Sequence, residues 1–269
     1  MKVSVIILLL MTLTALAAPF LANDRSFSSL LSPPIPYHPN STDSDAILTP
    51  PNRSHLLGTD DIGRDVLAQL IWGTRISLSV GLVAMSIALT LGIFLGGIAG
   101  YFGGIWDLLI SRLIEIFSCF PTFFFILALL SFVGPSLLNL MIVIGGTSWP
   151  GIARLVRAEF FRLREEEFVK AASALGAGSF RILFRHLLPN IVRPLVVIAS
   201  FGIAAAILGE ASLSFLGFGV RPEDPSWGSL LASGEAYWDV AWWLTLAPGS
   251  AIFLTVTAFN LLGESFRNR

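Results

Sequence analysis

"ISLSVGLVAMSIALTLGIFLGGIAGYFGGIW", residues 76–106, runs for 31 residues without a charged side chain. A helix that crosses a bilayer needs about 20 mostly apolar residues, so this stretch is long enough to span a membrane. Gly92, Gly96 and Gly100 recur every four residues within it. This spacing lets two helices in lipid approach closely. The sequence leaves open whether the partner helix belongs to the same chain or to another subunit.

The whole chain has the composition of a membrane protein. Hydrophobic residues make up 54% and charged residues only 13% of its 269 residues, whereas soluble domains carry about 25% charged residues. Further apolar runs resemble the first, so we predict an all-α polytopic membrane protein with six transmembrane helices. The predicted spans lie at about 3–22, 76–106, 195–218 and 240–263, with two more within 116–153.

Three sections follow from these runs. Residues 1–22 are predicted to be a first transmembrane anchor, although Lys2 and the apolar run after it also resemble a cleaved signal peptide. Residues 23–75 are predicted to form an extracytoplasmic loop that ends in a short amphipathic helix on the membrane surface, capped by Thr59, Asp60 or Asp61. Residues 76–269 would form a transmembrane domain of five helices. Its loop at about 154–193 would lie outside the membrane.

The distribution of Lys and Arg predicts the orientation of the chain. Residues 154–193 hold eight basic and four acidic residues, a net charge of +4. Residues 23–75 carry a net charge of −2, and residues 219–239 carry −3. Because loops rich in Lys and Arg stay in the cytoplasm, the basic segment is predicted to be cytoplasmic. Six spans then place both termini in the cytoplasm.

The basic segment contains "EFVKAASALGAGSFRILFRHLLPN", residues 167–190. Apolar residues recur at helical spacing on both sides of Gly176-Ala177-Gly178, which predicts a helix, a glycine turn and a second helix. The first helix would carry small residues on one face, which leaves room for another protein surface. The alternative is an amphipathic loop on the inner leaflet whose arginines bind lipid headgroups.

This stretch resembles the signature of bacterial ABC importer permeases, which is Glu-Ala-Ala, three residues, Gly, nine residues, Ile, one residue, Leu-Pro. Five positions match at that spacing, and Lys170 and His186 replace the glutamate and the isoleucine. The matching residues are Ala171, Ala172, Gly176, Leu188 and Pro189. The segments "HLLGTDDIGRDVLAQLIWGTRISL" and "GEASLSFLGFGVRPEDPSWGSLLASG" look like blocks of the dipeptide/oligopeptide/nickel branch of that family.

The resemblance implies a permease subunit in the bacterial inner membrane that forms half of a peptide pathway and is not itself an enzyme. It implies a second homologous permease, two ABC ATPase subunits that use ATP, and an extracytoplasmic solute-binding protein. The sequence itself has no Gly-x-x-x-x-Gly-Lys-Ser/Thr phosphate loop, so no cofactor is expected on this chain. The loop that contacts the ATPase would include Lys170 and the five matching residues, and Glu166 or Glu167 would partly replace the family glutamate. Candidate docking residues for the binding protein are Asp60, Asp61, Arg64, Glu223, Asp224 and Trp227.

Glu210 is the one acid well inside an apolar span, and such residues are costly in lipid. It is predicted either to face the translocation pathway, or to lie at the membrane interface and cap local backbone or pair with an arginine. Arg112 and Glu115 are predicted to form a structural ion pair.

Other functional classes have little support in the sequence. A net charge of −1 suggests no nucleic-acid partner, and Cys119 is predicted to pack in the apolar interior. The three histidines, His38, His55 and His186, are predicted to be surface loop residues without a metal partner. The same machinery carrying nickel or another small solute remains an alternative, as does a membrane scaffold without transport activity.

Overall fold

The structure is a computed structural model that describes residues 2–23, 33–221 and 223–267. Within these ranges the regular secondary structure is helical, the loop at residues 33–65 is largely irregular, and the only extended pairings are two isolated bridges. This agrees with the predicted all-α class. The main helices are α1 (Lys2–Leu21), α2 (Val66–Phe102), α3 (Gly104–Ser118), α4 (Thr122–Val133), α5 (Leu137–Arg164), α6 (Glu167–Ala174), α7 (Ser179–Arg181), α8 (Val192–Phe215), α9 (Trp227–Gly234) and α10 (Trp243–Arg267).

The long helices alternate in direction between two ends of a bundle. One end, called here the acidic end, holds the start of α2 and of α10, where Trp243 Nε1 donates to the carbonyl of Thr59 at 3.1 Å. The end of α1 lies there too, because Trp72 Nε1 donates to Ala22 O at 2.9 Å. The opposite end is called the basic end. The last turns of α2 and α5 lie there, and Arg164 of α5 donates to Tyr101 O of α2 at 3.1 Å.

Helices α2 and α5 make the most extensive contact of the bundle, and glycine makes it possible. A Cβ atom on Gly96 would lie 2.4 Å from the carbonyl oxygen of Ala153, and one on Gly100 would lie 2.7 Å from that of Arg157. On the opposing helix, a Cβ on Gly145 would lie 2.6 Å from Ala84 O. The glycine repeat therefore packs inside this chain, which settles the question left open by the sequence.

Helices α3 and α4 are separated by a bend of 84°, so the apolar stretch after α2 is not one straight rod. Helix α3 is attached to α5 by an ion pair between Asp107 and Arg157. Arg112 and Glu115 form the predicted ion pair on its surface, with Arg112 Nη1 2.5 Å from Glu115 Oε2. Both side chains are exposed, and a surface pair of this kind contributes about 0–1 kcal/mol.

The predicted count of six spans stays a prediction. In the described residues, four helical segments are long and apolar enough to span a membrane, or five when α3 and α4 count as one broken span. Helix α5 is 28 residues long, about 42 Å at 1.5 Å per residue, which exceeds the hydrocarbon core of about 30 Å. Its middle carries Gly145, Gly146, Thr147 and Ser148, which make it less apolar than the other long helices.

The amphipathic surface helix predicted before the second span does not exist as a separate element. Helix α2 begins at Val66 and continues without interruption to Phe102. Its cap is Asp65, whose Oδ1 accepts from Ala68 N at 2.8 Å, and not one of the residues at positions 59 to 61. Sequence periodicity alone does not show where one helix stops and the next begins, and here no break separates them.

Two single-residue predictions are wrong. His55 is buried rather than on the surface, and its Nδ1 lies 2.8 Å from Asp65 Oδ2 beneath the start of α2. Cys119 is exposed rather than packed in the interior, because it lies at the bend between α3 and α4, where the apolar run leaves the helix bundle.

We expect Gly96→Leu to destabilise the bundle by about 3 kcal/mol or more, because the new side chain has to displace the backbone of α5. Thermal unfolding of the purified protein in detergent, followed by tryptophan fluorescence, measures this. Gly146→Leu in α5 is the matched control, because a Cβ there meets no atom within 4 Å. Equal midpoints for the two variants would contradict the assigned packing of α2 on α5.

Candidate functional site

The signature-like segment forms a compact loop at the basic end. Helix α6 is followed by a turn at residues 175–178, by α7, and by one turn of π-helix at Ile182–Leu187 that leads into α8. Val169 is the only buried residue of α6. It packs in a cluster with Leu163, Ile182 and Leu187. Val169 is therefore the side chain that anchors α6 to the bundle, and the other residues of the helix lie at the surface.

Gly176 ends α6 through its backbone conformation. Its φ is +82°, a left-handed value that side chains other than glycine rarely adopt. The Gly176 N–H donates to Ser173 O at 2.9 Å, and the Ala177 N–H donates to Ala172 O at 3.1 Å. These two bonds form a Schellman motif. The spacing of alanine and glycine in the sequence thus reflects a helix that has to stop and turn at this position.

The outer surface of this loop is apolar and accessible. Leu175 is 89% exposed and Phe180 is 74% exposed. Phe168 and Phe184 are also exposed, and the rings of Phe180 and Phe184 lie 4.4 Å apart. We call these four residues, with Ala171 and Gly176, the loop face. An exposed apolar patch that is rimmed by charge is typical of a protein interaction surface.

The charged residues predicted to take part are at the rim of the loop face. Lys170 Nζ lies 3.4 Å from Glu165 Oε2, and Glu166 Oε1 lies 3.6 Å from Arg162 Nη1. Glu167 is exposed at the start of α6. Lys170 stands where the family signature has a glutamate, but Glu165, Glu166 and Glu167 lie close to it. Glu165 pairs with Lys170 itself.

Leu188 and Pro189 lie between the loop and α8. They form a short 3-10 segment, Leu188–Ile191, that runs directly into α8. Residues from Ser179 to Phe215 thus make one nearly continuous helical segment of 37 residues. A displacement of the loop would therefore act on the basic end of a helix that reaches the acidic end.

At the acidic end, the same helix carries a buried carboxylate. Glu210 is fully buried. Its Oε1 accepts hydrogen bonds from Ser226 Oγ at 2.6 Å and from Ser214 Oγ at 2.7 Å. Its Oε2 accepts from Ser77 Oγ at 3.3 Å, and Ser77 Oγ in turn accepts from Trp227 N at 3.1 Å. The carboxylate therefore joins α2, α8 and the start of α9.

This arrangement corrects the expectation that Glu210 faces the pathway. A side chain that is enclosed by three serines and bound to each of them is not available to a passing solute. The alternative, local pairing, describes the structure, but the partners are hydroxyl groups and not an arginine. Sequence reasoning missed all three partners, Ser77, Ser214 and Ser226. Ser214 follows Glu210 by four residues, which is helical spacing, and Ser226 lies in the loop after α8.

Two of the predicted docking residues for a binding protein are also corrected. Asp60 is fully buried, and its Oδ2 accepts from Arg64 Nε at 2.7 Å and from Gln69 Nε2 at 2.9 Å. Trp227 is fully buried, and its indole Nε1 donates to Leu70 O at 3.2 Å. Both side chains satisfy the rule that a buried polar group needs a hydrogen-bond partner. Their bonds hold the loops before α2 and before α9 against helix α2.

The remaining docking residues differ in their exposure. Glu223 and Asp224 are exposed, while Asp61 and Arg64 are partly exposed. Asn40 Nδ2 donates to the backbone of Glu223 at 2.9 Å, so the loop before α2 and the loop before α9 meet at one surface. A protein docking at the acidic end would contact both loops.

A cavity of about 460 Å³ lies between α2, α4, α5 and α8. All of its lining residues are uncharged. They include Met85 on α2, Ser148 and Gly151 on α5, and Gly202 and Gly209 on α8. Sequence reasoning did not find this cavity, because its lining combines residues of four helices spread from Ala84 to Gly209 in the chain. In the described ranges, no group of three His, Cys, Asp or Glu residues is placed to hold a metal ion.

The known proteins that this chain resembles are membrane subunits of transport systems. Residues 92–269 match the family model described as binding-protein-dependent transport system inner membrane component. The chain is 43% identical to the dipeptide transport system permease protein DppC of Alkalihalophilus pseudofirmus, over 81% of this chain and 72% of the relative. It is 40% identical to the di/tripeptide transport system permease protein DppC of Pseudomonas aeruginosa, over 90% and 82% of the two chains.

The fold also resembles that of solved transporters. A structure of the inward-facing MetNI methionine ABC transporter matches with a TM-score of 0.57 over 74% of this chain and 97% of that chain. The two sequences are 19% identical, so this likeness concerns the fold alone.

We expect Glu210→Ala to loosen the acidic end, because three buried hydroxyl groups lose their acceptor at a cost of about 1–3 kcal/mol. Faster amide hydrogen exchange in α9 measures this. Ser212→Ala is the matched control, because Ser212 lies on the same helix, is exposed, and its hydroxyl donates to Leu208 O of its own helix at 2.8 Å. Unchanged exchange in α9 of the Glu210 variant would refute the assigned role.

Gly176→Ala is expected to destabilise the loop by about 1–2 kcal/mol, because an alanine has to adopt a left-handed conformation there. The expected signal is faster hydrogen exchange over residues 167–177. Gly178→Ala serves as the control: a Cβ at either glycine meets no atom within 4 Å, but the φ of Gly178 is −67°. If both variants exchange alike, the turn does not depend on the conformation of Gly176.

Proposed function

Since the chain belongs to the family of binding-protein-dependent transport system inner membrane components, we propose that its transport system imports short peptides. The chain is a permease subunit of an ABC transport system in the inner membrane. The observation that carries the peptide assignment is the 40–43% identity to permeases named for dipeptide and di/tripeptide transport. The uncharged cavity fits this cargo, because peptides with side chains of either charge would meet no opposite charge that holds them.

The proposed coupling surface is the loop face at the basic end, which lies in the cytoplasm in this proposal. An ATPase subunit would bury Phe168, Leu175 and Phe180, and would meet Glu167 and the Lys170–Glu165 pair at the rim. Closure of the ATPase on ATP would then push α6, and the short segment through Leu188 and Pro189 would transmit the displacement to α8. ATP hydrolysis takes place on the partner subunits in this scheme.

The proposed assembly contains a second homologous permease, two ATPase subunits and an extracytoplasmic solute-binding protein. The solute-binding protein would dock at the acidic end against the surface shared by Glu223, Asp224 and Asp61. This placement is supported by the exposure of those carboxyl groups and by the Asn40–Glu223 contact, which joins the two loops. Residues 1–22 would be an anchor and residues 76–269 the permease domain.

Leu175→Glu tests the coupling surface. We expect at least a tenfold loss of the ATPase subunits that co-purify with the chain, because a carboxylate would be buried against them, while the stability of the chain changes by less than about 0.5 kcal/mol. Leu56→Glu is the control, because Leu56 is also exposed but lies in the loop before α2, at the acidic end. Full recovery of the ATPase with the Leu175 variant would show that this surface does not hold it.

Cargo is tested with the complete complex in vesicles, supplied with its binding protein and ATP. Uptake of radiolabelled dialanine supports peptide import. Uptake of nickel or of another small solute without uptake of dipeptides would favour the alternative cargo. A chain that co-purifies with no ATPase and drives no uptake would be the membrane scaffold.

A further inference from the structure

We propose that the cavity between α2, α4, α5 and α8 is this chain's part of the solute path, and that Gly151 and Gly209 set the size of solute that passes. This inference rests on the proposed peptide import. It assigns to two glycines a role in selectivity that is separate from the packing role of the glycines in α2.

The glycines of α2 and the two cavity glycines differ in what surrounds them. Gly92, Gly96 and Gly100 lie against α5, and a Cβ on any of them would meet an atom of that helix at 2.4–2.7 Å. Gly151 and Gly209 line the cavity, and a Cβ on either meets no atom within 4 Å. Packing therefore explains the first group but does not require glycine at positions 151 and 209.

Glycine at these two positions is costly for the helices that carry it. Gly151 lies in α5 and Gly209 in α8, and glycine inside a helix is less favourable than alanine by about 0.8–1.0 kcal/mol. No left-handed backbone conformation requires it, since neither residue is among the glycines with positive φ. What glycine does provide at both positions is open volume within the cavity.

The third glycine that lines the cavity, Gly202, has no free space beside it. A Cβ on Gly202 would lie 2.3 Å from Met85 Sδ, so the side chain of Met85 already covers Gly202 from α2. The volume of about 460 Å³ lies within the range of about 300–1,000 Å³ that is usual for small-molecule sites. Side chains at positions 151 and 209 would reduce this volume from two different helices.

The chemistry of the lining fits a path rather than a binding site. The hydroxyl of Ser148 already donates to Ile144 O at 2.6 Å, and the lining holds no charged side chain. A permeation path needs weak contacts so that the solute can leave again. Such a lining distinguishes solutes by their size more than by their charge.

The test uses the complete complex in vesicles, with its binding protein and ATP. Uptake of phenylalanyl-phenylalanine is divided by uptake of dialanine for each variant, and this ratio is compared with that of the unsubstituted complex. Gly151→Leu and Gly209→Leu are expected to lower the ratio at least tenfold. Gly146→Leu on α5 and Gly249→Leu on α10 are matched controls that stay within twofold, because both positions are open and lie outside the cavity. Ratios within twofold for the two cavity variants, or an equal fall in the controls, would overturn the inference.

A second readout does not depend on the cargo. In a Cys119→Ser background, the Gly151→Cys thiol is expected to react with a water-soluble thiosulfonate reagent, while the Gly146→Cys thiol is not. Adding Gly209→Leu should slow the reaction of the Gly151→Cys thiol with a bulky reagent at least tenfold, and with a small reagent less. An unreactive Gly151→Cys thiol, or equal slowing for both reagents, overturns the inference even when dipeptides are imported. Reactive thiols in a complex that imports no dipeptide overturn the peptide cargo alone.

Discussion

The backbone contact between α2 and α5 is the constraint on which the rest of the bundle depends. In lipid no hydrophobic effect drives two helices together, so close packing and hydrogen bonds have to hold them. Gly96 and Gly100 bring α2 onto the carbonyl oxygens of Ala153 and Arg157. Arg157 then binds Asp107 and attaches α3. The position of α5 also fixes Phe160 and Leu163 in the cluster that receives Val169 of the loop. A few close contacts at glycine thus determine where the loop face lies.

Helix α8 connects the basic end and the acidic end of the bundle. Its basic end continues from the loop through the π-turn and the Leu188–Ile191 segment. Its acidic end is bound through Glu210 to Ser77 of α2 and to Ser226, which caps α9. Between these ends the helix lines the cavity with Gly202 and Gly209. A movement of the loop would therefore act on a helix that touches both the cavity and the acidic end.

The sequence predicted several parts of the structure through local rules. The helix, glycine turn and helix at residues 167–190 followed from periodicity and from Gly176, and the structure has a Schellman motif there. The Arg112–Glu115 pair followed from helical spacing. The surface helix before the second span was wrong because periodicity is the same in one long helix as in two. Glu210 was recognised as unusual, but the sequence does not show that Ser77, 133 residues away in the chain, is one of its partners.

Composition and the order of the apolar runs, by themselves, determined the all-α class, the membrane environment and the position of the loop that resembles the permease signature. These features depend on residues that are close in sequence and on the solvent around them. Only the tertiary structure decided which glycines pack against a helix and which open into a cavity. It also decided which carboxyl groups are buried, as for Asp60 and Glu210. The physical reason is that the same glycine spacing or the same acid in an apolar run has different consequences according to which helix lies opposite.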